Sequence, residues 1–152
     1  MKILFVCTGN TCRSPMAQYI FEAAAKKRGI ECECRSAGIA TYTGSPASDN
    51  AVTVMKEIGI DMSEFRSTSI HALLADDFDL YVPMTYSHAM ALQQYGIGKS
   101  KIYLISNDVP DPYGGSVDFY RKTRDTLVRD MDKLADFVES NFGGENDTEN
   151  DG

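Results

Sequence analysis

Cys7 and Arg13 bracket a run of five residues, and Ser14 follows the arginine directly. A loop of this length between a strand and a helix N-terminus can wrap an oxyanion, because successive backbone N–H groups and the positive end of the helix converge on it. Arg13 adds a forked donor that can hold two phosphoryl oxygens. Gly9 is expected to supply the backbone freedom that the curled loop requires. The same field is expected to lower the pKa of the Cys7 thiol, which would make it a nucleophile aimed at phosphorus.

Cys7 also has a structural interpretation. Many free cysteines near strands are small buried hydrophobic residues, and a Cys and an Arg at this spacing also occur by chance. The position of Arg13 and Ser14 between a predicted strand and a predicted helix favours the chemical interpretation. Asp111-Pro112 in a glycine-rich loop is likewise an ordinary turn sequence when it is taken alone.

Local sequence patterns place the Cys7 loop between a strand and a helix. The run from Lys2 to Cys7 is almost continuously apolar, as in a strand that is buried on both faces of a parallel sheet. Ser14 and Pro15 predict an N-cap followed by proline at the first helical position, with an apolar helix face up to Gly29. Further strands are predicted at 31–35, 78–82 and 101–105, and further helices at 48–58, at 86–95 and from Ser116 onward.

The alternation of strands and helices predicts an α/β fold with a parallel sheet. In open sheets of this kind, ligands bind beyond the carboxyl ends of the strands. The Cys7 loop and the Asp111 loop both follow predicted strands. Both loops are therefore expected to open onto the same edge of the sheet.

Length and composition suit one domain with one core, since the chain has 152 residues and 43% of them are hydrophobic. Residues 1–142 are assigned to that domain. The acidic, Asn-rich and Gly-rich residues 143–152 are predicted to form a disordered tail. A formal net charge of -7, without any run of Lys or Arg, argues against binding to nucleic acid or to an anionic membrane surface.

The N-terminal residues indicate where in the cell the protein is located, and the cysteines and histidines indicate whether it can bind a metal. The N-terminal apolar run is shorter than a signal-peptide core or a membrane span, which predicts a cytoplasmic protein. All four cysteines fall in the first quarter of the chain, which favours reduced thiols. The single residue between Cys32 and Cys34 does not fit the usual zinc spacing, and His71 and His88 are the only histidines. No metal is expected, and both histidines are expected to be solvated or structural.

The segment from Val6 to Ala17 resembles the signature loop of the low-molecular-weight protein tyrosine phosphatases. Asp111-Pro112-Tyr113 resembles the general-acid loop of the same family, and Ser36-Ala37-Gly38 and Phe78-Asp79-Leu80 are further matches. The resemblance extends from Lys2 to about Phe142. It implies a four-stranded parallel sheet flanked by helices on both faces, no cofactor, a phosphocysteine intermediate and a phosphorylated protein as substrate. A monomer is expected.

The resemblance also implies a role for each matched residue. Cys7 would be the nucleophile, Arg13 would bind the phosphoryl group, and Asp111 would act first as general acid and then as base for water. Ser14 would donate a hydrogen bond to the thiolate, and Ser36 would help Asn10 to hold the shape of the loop. The phosphate-binding loop would comprise Thr8, Gly9, Asn10, Thr11, Cys12 and Ser14, and the substrate rim would comprise Thr11 and Tyr113.

Three positions add to or depart from the family pattern. Cys12 would be the partner for a reversible disulfide that protects Cys7 from over-oxidation. Phe65 stands where the family often has a supporting histidine, and Thr85 stands where many members have an aspartate. Neither departure removes a reacting group.

Thr11 and the residues after Asp111 bear on the leaving group. Tyrosine phosphatases of this family commonly have a bulky aliphatic residue in place of Thr11 and two or three aromatic residues after the acid, whereas this chain has Tyr113 followed by Gly114-Gly115. In both respects the chain resembles the bacterial protein arginine phosphatases of the same fold. A hydroxyl and a nearby carboxylate suit a planar guanidinium, whereas an aliphatic wall suits a phenyl ring. Phosphoarginine is therefore favoured, with phosphotyrosine as the alternative.

Two other functions fit the sequence less well. Thioredoxin-coupled arsenate reductases share the fold and a similar loop, but they need further cysteines in the middle of the chain, and none follows Cys34. A catalytically inactive module that only binds phosphoproteins would be expected to lack Cys7, Arg13 or Asp111. All three residues are present.

Overall fold

The computed structural model describes residues 1–143, which form a single α/β domain. The predicted disordered tail, apart from Gly143, lies outside the described residues. Two short 3-10 turns occur at Ile70–Ala72 and Lys99–Lys101. The strands and α-helices follow in the order β1 Lys2–Cys7, α1 Arg13–Arg28, β2 Glu33–Gly38, α2 Asp49–Lys56, β3 Leu80–Pro83, α3 Tyr86–Gln94 and α4 Val117–Phe142.

The strands form a parallel sheet in the order β2-β1-β3, so β1 lies in the centre. Cys7 at the end of β1 is aligned with Gly38 at the end of β2. Val6 is aligned with Pro83 at the end of β3. All three strands therefore end at one edge, and the last residue of the central strand is the cysteine of the candidate site.

The prediction of a fourth strand at 101–105 is wrong within the described residues. A single bridge joins Ile102 to Tyr81, and the Tyr103 N–H donates to the Tyr81 carbonyl at 2.9 Å. The Lys101 N–H, which faces β3 in this register, donates instead to the carbonyl of Gly98 at 3.0 Å within the 3-10 turn. The turn therefore occupies the start of the segment, and pairing with β3 does not extend beyond one residue.

Side chains of β1 alternate between two apolar layers, as the sequence predicts for a strand that is buried on both faces. Ile3, Phe5 and Cys7 pack with the layer that contains α1 and α4. Leu4 and Val6 pack with the opposite layer, which contains Leu92 of α3. Because β1 is fully enclosed, the position of Cys7 is fixed by the core of the protein.

The helices begin close to their predicted positions. Ser48 and Ser116 are the N-caps of α2 and α4, and their side chains accept backbone N–H groups of the first turn. Strand β2 lies further along than the predicted range of 31–35 and reaches Gly38. Within residues 1–143, no helix has both the length and the apolar character that crossing a membrane requires.

Candidate active site

The loop between β1 and α1 is braced by the chain that follows β2. The Ile39 N–H donates to the Cys7 carbonyl at 2.9 Å, and the Ala40 N–H donates to the Thr8 carbonyl at 3.0 Å. A Cβ atom at Gly38 would lie 2.7 Å from the Thr8 carbonyl oxygen and 2.6 Å from the Thr41 side chain. Only glycine lets β2 approach the loop this closely, which explains why position 38 is a glycine.

Asn10 connects the loop to two other parts of the chain and is fully buried. Its Nδ2 donates to the hydroxyls of Ser14 and Ser36, each at 2.9 Å, and its Oδ1 accepts the Thr68 N–H at 2.8 Å. The backbone of Asn10 is left-handed, with a φ of 55°. Gly9 was predicted to supply the backbone freedom of the loop. The left-handed residue is Asn10 instead, and asparagine is a residue type that tolerates this conformation.

The Cys7 sulfur is enclosed by donors from the loop. The Asn10 N–H donates to Sγ at 3.2 Å, and the Ser14 Oγ lies 2.8 Å from it. Because Ser14 Oγ already accepts from Asn10, its own hydrogen is free to point at the sulfur.

Two opposing effects set the acidity of Cys7. Burial is the largest, and it raises the pKa of the thiol above its ordinary value. The hydroxyl and the N–H of Ser14, the N–H of Asn10 and the charge of Arg13 all act to lower that pKa. The pKa of Cys7 is therefore shifted in the direction opposite to the one predicted from sequence, because the sulfur is withdrawn from water as well as surrounded by donors. A thiolate at Cys7 therefore depends on these contacts.

Helix α1 begins at Arg13, one residue before the predicted N-cap Ser14. The Ser14 hydroxyl is directed to Cys7 and Asn10, so it is unavailable for capping. Within the described residues, no side chain forms a capping hydrogen bond at this helix N-terminus. The first turn of α1 therefore presents its backbone N–H groups at the loop, which is the arrangement that favours an anion.

The Arg13 side chain is buried, and its guanidinium is held from several directions. One terminal nitrogen donates to the Val109 carbonyl at 3.1 Å. The other lies 3.5 Å from Thr8 Oγ1 and 3.7 Å from a carboxylate oxygen of Asp111. The Asp111 side chain is 55% exposed and also accepts the Tyr113 N–H at 3.1 Å. The structure therefore brings the predicted acid to the predicted phosphoryl-binding residue.

Cys12 lies at the base of the same loop and is buried. Its sulfur is 3.3 Å from the Ser48 hydroxyl and 3.3 Å from the Tyr120 hydroxyl. Burial, together with the contact to Cys12, raises the pKa of Tyr120 to about 12, so this phenol is protonated near neutral pH. Cys7 and Cys12 are both free thiols.

A cavity of about 430 Å³ is lined by residues of the loop together with Asp111 and Tyr113. A larger cavity of about 830 Å³ lies near Arg28 and Phe142, away from the loop, and no cysteine or histidine lines it. Within residues 1–143, no group of three His, Cys, Asp or Glu side chains is arranged to hold a metal ion. The smaller cavity is lined by Cys7, Thr8, Gly9, Asn10, Thr11, Cys12, Arg13, Thr41, Ser45, Asp111 and Tyr113.

Ser36 lies outside this cavity lining and contacts the loop through Asn10. Thr41 and Ser45 were missed by the sequence analysis, although the hydroxyl-rich stretch from 41 to 45 follows the matched Gly38 and could have indicated them. His88 was expected to be solvated or structural; it is buried and contacts Thr8, which agrees with the structural alternative and not with the solvated one. The three-residue spacing from Thr85, the N-cap of α3, is the sequence feature that could have indicated a structural role for His88.

The arrangement can perform nucleophilic displacement at a tetrahedral oxyanion. The Cys7 sulfur accepts the N–H groups of Asn10 and Ser14, the charge of Arg13 acts on it, and the exposed Asp111 carboxyl group lines the same cavity. These groups supply the nucleophile, the charge stabilisation and the proton transfer that such a reaction needs.

Comparisons with known proteins agree with this chemistry. Residues 2–143 match the family described as low molecular weight phosphotyrosine protein phosphatase. The protein-arginine-phosphatase of Bacillus subtilis is 36% identical over 143 residues, which cover 89% of this chain and 95% of that protein.

Two solved structures are similar over nearly the whole chain. A low molecular weight protein tyrosine phosphatase from T. tengcongensis is 43% identical, with a TM-score of 0.83, over 90% of this chain and 98% of that one. The YwlE arginine phosphatase, in a C7S mutant with a phosphorylated active-site serine, is 34% identical, with a TM-score of 0.85, over 93% of this chain and 98% of that one.

Proposed function

The chain belongs to the low molecular weight phosphotyrosine protein phosphatase family, and on that premise we propose that it removes the phosphoryl group from phosphoarginine in proteins by way of a phosphocysteine at Cys7. The coarser activity, hydrolysis of phosphorylated protein, is that of the family. The choice of leaving group and the roles of individual residues are the proposal.

In the first step the Cys7 thiolate attacks phosphorus. The S–P bond forms as the N–P bond to the guanidino group breaks, and the Asp111 carboxylic acid gives its proton to the departing nitrogen. Arg13 and the loop N–H groups hold the phosphoryl oxygens, whose charge they match throughout the transfer. Arg13 is positioned for this by the Val109 carbonyl, which accepts from it at 3.1 Å.

In the second step water replaces the cysteine. Asp111, now a carboxylate, takes a proton from the attacking water, the O–P bond forms, and the S–P bond breaks to release inorganic phosphate and the Cys7 thiolate. The Ser14 hydroxyl, 2.8 Å from the sulfur, stabilises the departing thiolate. The step leaves the enzyme as it began, with Asp111 protonated.

The observation that carries the choice of phosphoarginine is the set of hydroxyl groups in the cavity lining. Thr11, Thr41 and Ser45 line it with hydroxyl groups, and Tyr113 is the one aromatic residue among the lining residues of the described chain. Hydroxyl oxygens and the carbonyl oxygen of the exposed Asp111 carboxyl group can accept hydrogen bonds from a guanidinium. The carbon atoms of a phenyl ring would make no hydrogen bond with these hydroxyl groups.

The relatives support the same choice. The Bacillus subtilis protein at 36% identity is named for phosphoarginine, and the YwlE mutant carries its phosphoryl group on a serine that replaces an active-site cysteine. Covalent transfer to the equivalent of Cys7 is therefore the mechanism that we propose for this chain.

Replacing Thr11 tests the proposal. Thr11→Ile removes a hydroxyl and adds apolar bulk at the rim, so kcat/KM for a phosphoarginine peptide should fall relative to a phosphotyrosine peptide of the same sequence. The ratio should move by about 1–3 kcal/mol, the scale of one pocket substitution. The control is Thr53→Ile, the same change on the exposed side of α2. A wild type that prefers phosphotyrosine, with a ratio that Thr11→Ile leaves unchanged, would overturn the proposal.

Phosphotyrosine is the second candidate, and Tyr113 is the observation that favours it. The Tyr113 side chain is largely exposed and lies at the mouth of the cavity, where it could stack on a substrate ring. The similar structure from T. tengcongensis is named a tyrosine phosphatase. Tyr113→Ala should reduce kcat/KM for the phosphotyrosine peptide more than for the phosphoarginine peptide, and an equal loss would remove the ring-stacking argument.

A further inference from the structure

His88 is a buried histidine that the reaction described above does not use. It is 6% exposed, on the first turn of α3. Its Nδ1 lies 2.9 Å from Thr85 Oγ1, and its Nε2 lies 2.8 Å from Thr8 Oγ1. Thr8 belongs to the phosphate loop, so this contact joins α3 to the candidate active site across 80 residues of sequence.

The surroundings of the imidazole keep it neutral. Burial is the largest effect and lowers the pKa of His88 to about 4, and the positive charge of Arg13 acts in the same direction. Asp108 and Asp111 act against them. A neutral imidazole has one donor and one acceptor, so one hydroxyl accepts from the ring and the other donates to it.

The Thr8 hydroxyl lies between His88 and the guanidinium of Arg13. Its oxygen is 3.5 Å from the terminal nitrogen of Arg13 that also faces Asp111. The opposite terminal nitrogen is fixed by the Val109 carbonyl. The fork of Arg13 is thus held on one side by the backbone and on the other side by a hydroxyl whose direction the imidazole sets.

We propose that His88 is a positioning residue for phosphoryl binding: it orients the Thr8 hydroxyl and, through it, the forked face of Arg13. A threonine hydroxyl can rotate, and without a partner it would not hold the guanidinium in one orientation. Two oxygens of a phosphoryl group bind well only when two N–H groups of the guanidinium point at them at the same time. The inference rests on phosphoryl binding by the proposed active site and is independent of the leaving group.

The test measures the affinity for inorganic phosphate by calorimetry, together with kcat and KM for a simple aryl phosphate. His88→Leu removes both ring contacts, and phosphate binding should weaken by about tenfold, the effect of one buried hydrogen bond to the charged site. Thr8→Val should weaken it similarly. The double variant should be no worse than either single variant, because His88 acts through Thr8.

Two further variants separate positioning from stability. His88→Gln retains an amide that can reach one hydroxyl, so it should restore part of the phosphate affinity. His71→Gln makes the same change at an exposed histidine and should leave phosphate affinity unchanged. Unchanged phosphate affinity in His88→Leu, or losses in the two single variants that add in the double variant, would overturn the proposal.

A measurement on the wild type covers the case in which His88→Leu does not fold. The nitrogen NMR signals of the His88 ring should shift as inorganic phosphate is added, and the shift should be lost in Thr8→Val. If the protein binds phosphate but the His88 ring signals do not shift on its addition, the proposal is overturned. If the wild type itself binds no phosphate, the proposed active site fails as well, which distinguishes the two failures.

Discussion

Asn10 is the side chain on which the shape of the phosphate loop depends most, and its replacement gives a quantitative prediction. It is fully buried and makes three side-chain hydrogen bonds, to Ser14, Ser36 and Thr68, at 2.8 to 2.9 Å. Each buried hydrogen bond contributes about 1 kcal/mol net. Asn10→Gly should therefore lower the free energy of unfolding by about 3 kcal/mol, a large part of the stability of a domain of this size.

Asn10→Ala should cost more than Asn10→Gly, because it loses the same contacts and also leaves a Cβ in a backbone with a φ of 55°. The difference should be about 1 kcal/mol, since glycine takes up the left-handed conformation without that penalty. Both variants should also lose phosphate affinity, because the Asn10 N–H and the Ser14 hydroxyl are held less firmly around Cys7.

Urea denaturation followed by circular dichroism measures both free energies, and Asn141→Ala is a matched control on the exposed end of α4. The control should change the free energy of unfolding by less than about 0.5 kcal/mol, as surface substitutions usually do. If Asn10→Ala fell within the same range, or if it were more stable than Asn10→Gly, the argument from buried contacts and left-handed backbone would be refuted.

Asp111→Asn should slow turnover of a substrate with a poor leaving group by about two to four orders of magnitude and of an acidic aryl phosphate by less; steady-state kinetics would contradict the acid role if both fell equally. Mild peroxide should inactivate the enzyme reversibly through a Cys7–Cys12 disulfide, and peptide mass spectrometry should show irreversible Cys7 acids in Cys12→Ser but not in the wild type. His88 is held neutral, so its contribution to stability is present above pH 6.5 and is lost as the pH falls toward 4. Thermal melting should show that the wild type loses about 3 kcal/mol more stability than His88→Gln over that range, because the carboxyl groups that titrate there are common to both.

The local parts of the site could be predicted from the sequence because neighbouring residues determine them. An apolar strand, a turn and a helix start are encoded within Lys2–Arg28, so the placement of Cys7 and Arg13 follows from local pattern. Asp111 is nearly a hundred residues away, and only the rule that ligands bind at the carboxyl edge of a parallel sheet could bring it near. The structure does place its carboxylate 3.7 Å from Arg13.

The parts that were missed depend on contacts between distant segments. His88 reaches Thr8 only because β3 lies beside β1, and nothing in the sequence around His88 indicates that neighbour. The fourth strand was predicted from an apolar run, but the 3-10 turn at Lys99–Lys101 takes a hydrogen bond that pairing would need. The pKa of Cys7 was predicted from the donors alone, whereas burial by the rest of the fold is the larger effect.

The most direct test of the covalent mechanism is a mass spectrum of the Asp111→Asn variant mixed with an acidic aryl phosphate and quenched within the first turnover. The leaving group of that substrate needs little help from the missing acid, whereas the attack of water lacks its base, so the intermediate should accumulate. The account predicts the added mass of one phosphoryl group, located on Cys7 and absent from Cys7→Ala, which has no nucleophilic atom at that position. Peptide dephosphorylation at the normal rate by Cys7→Ala, or a phosphoryl group found on another residue, would contradict it.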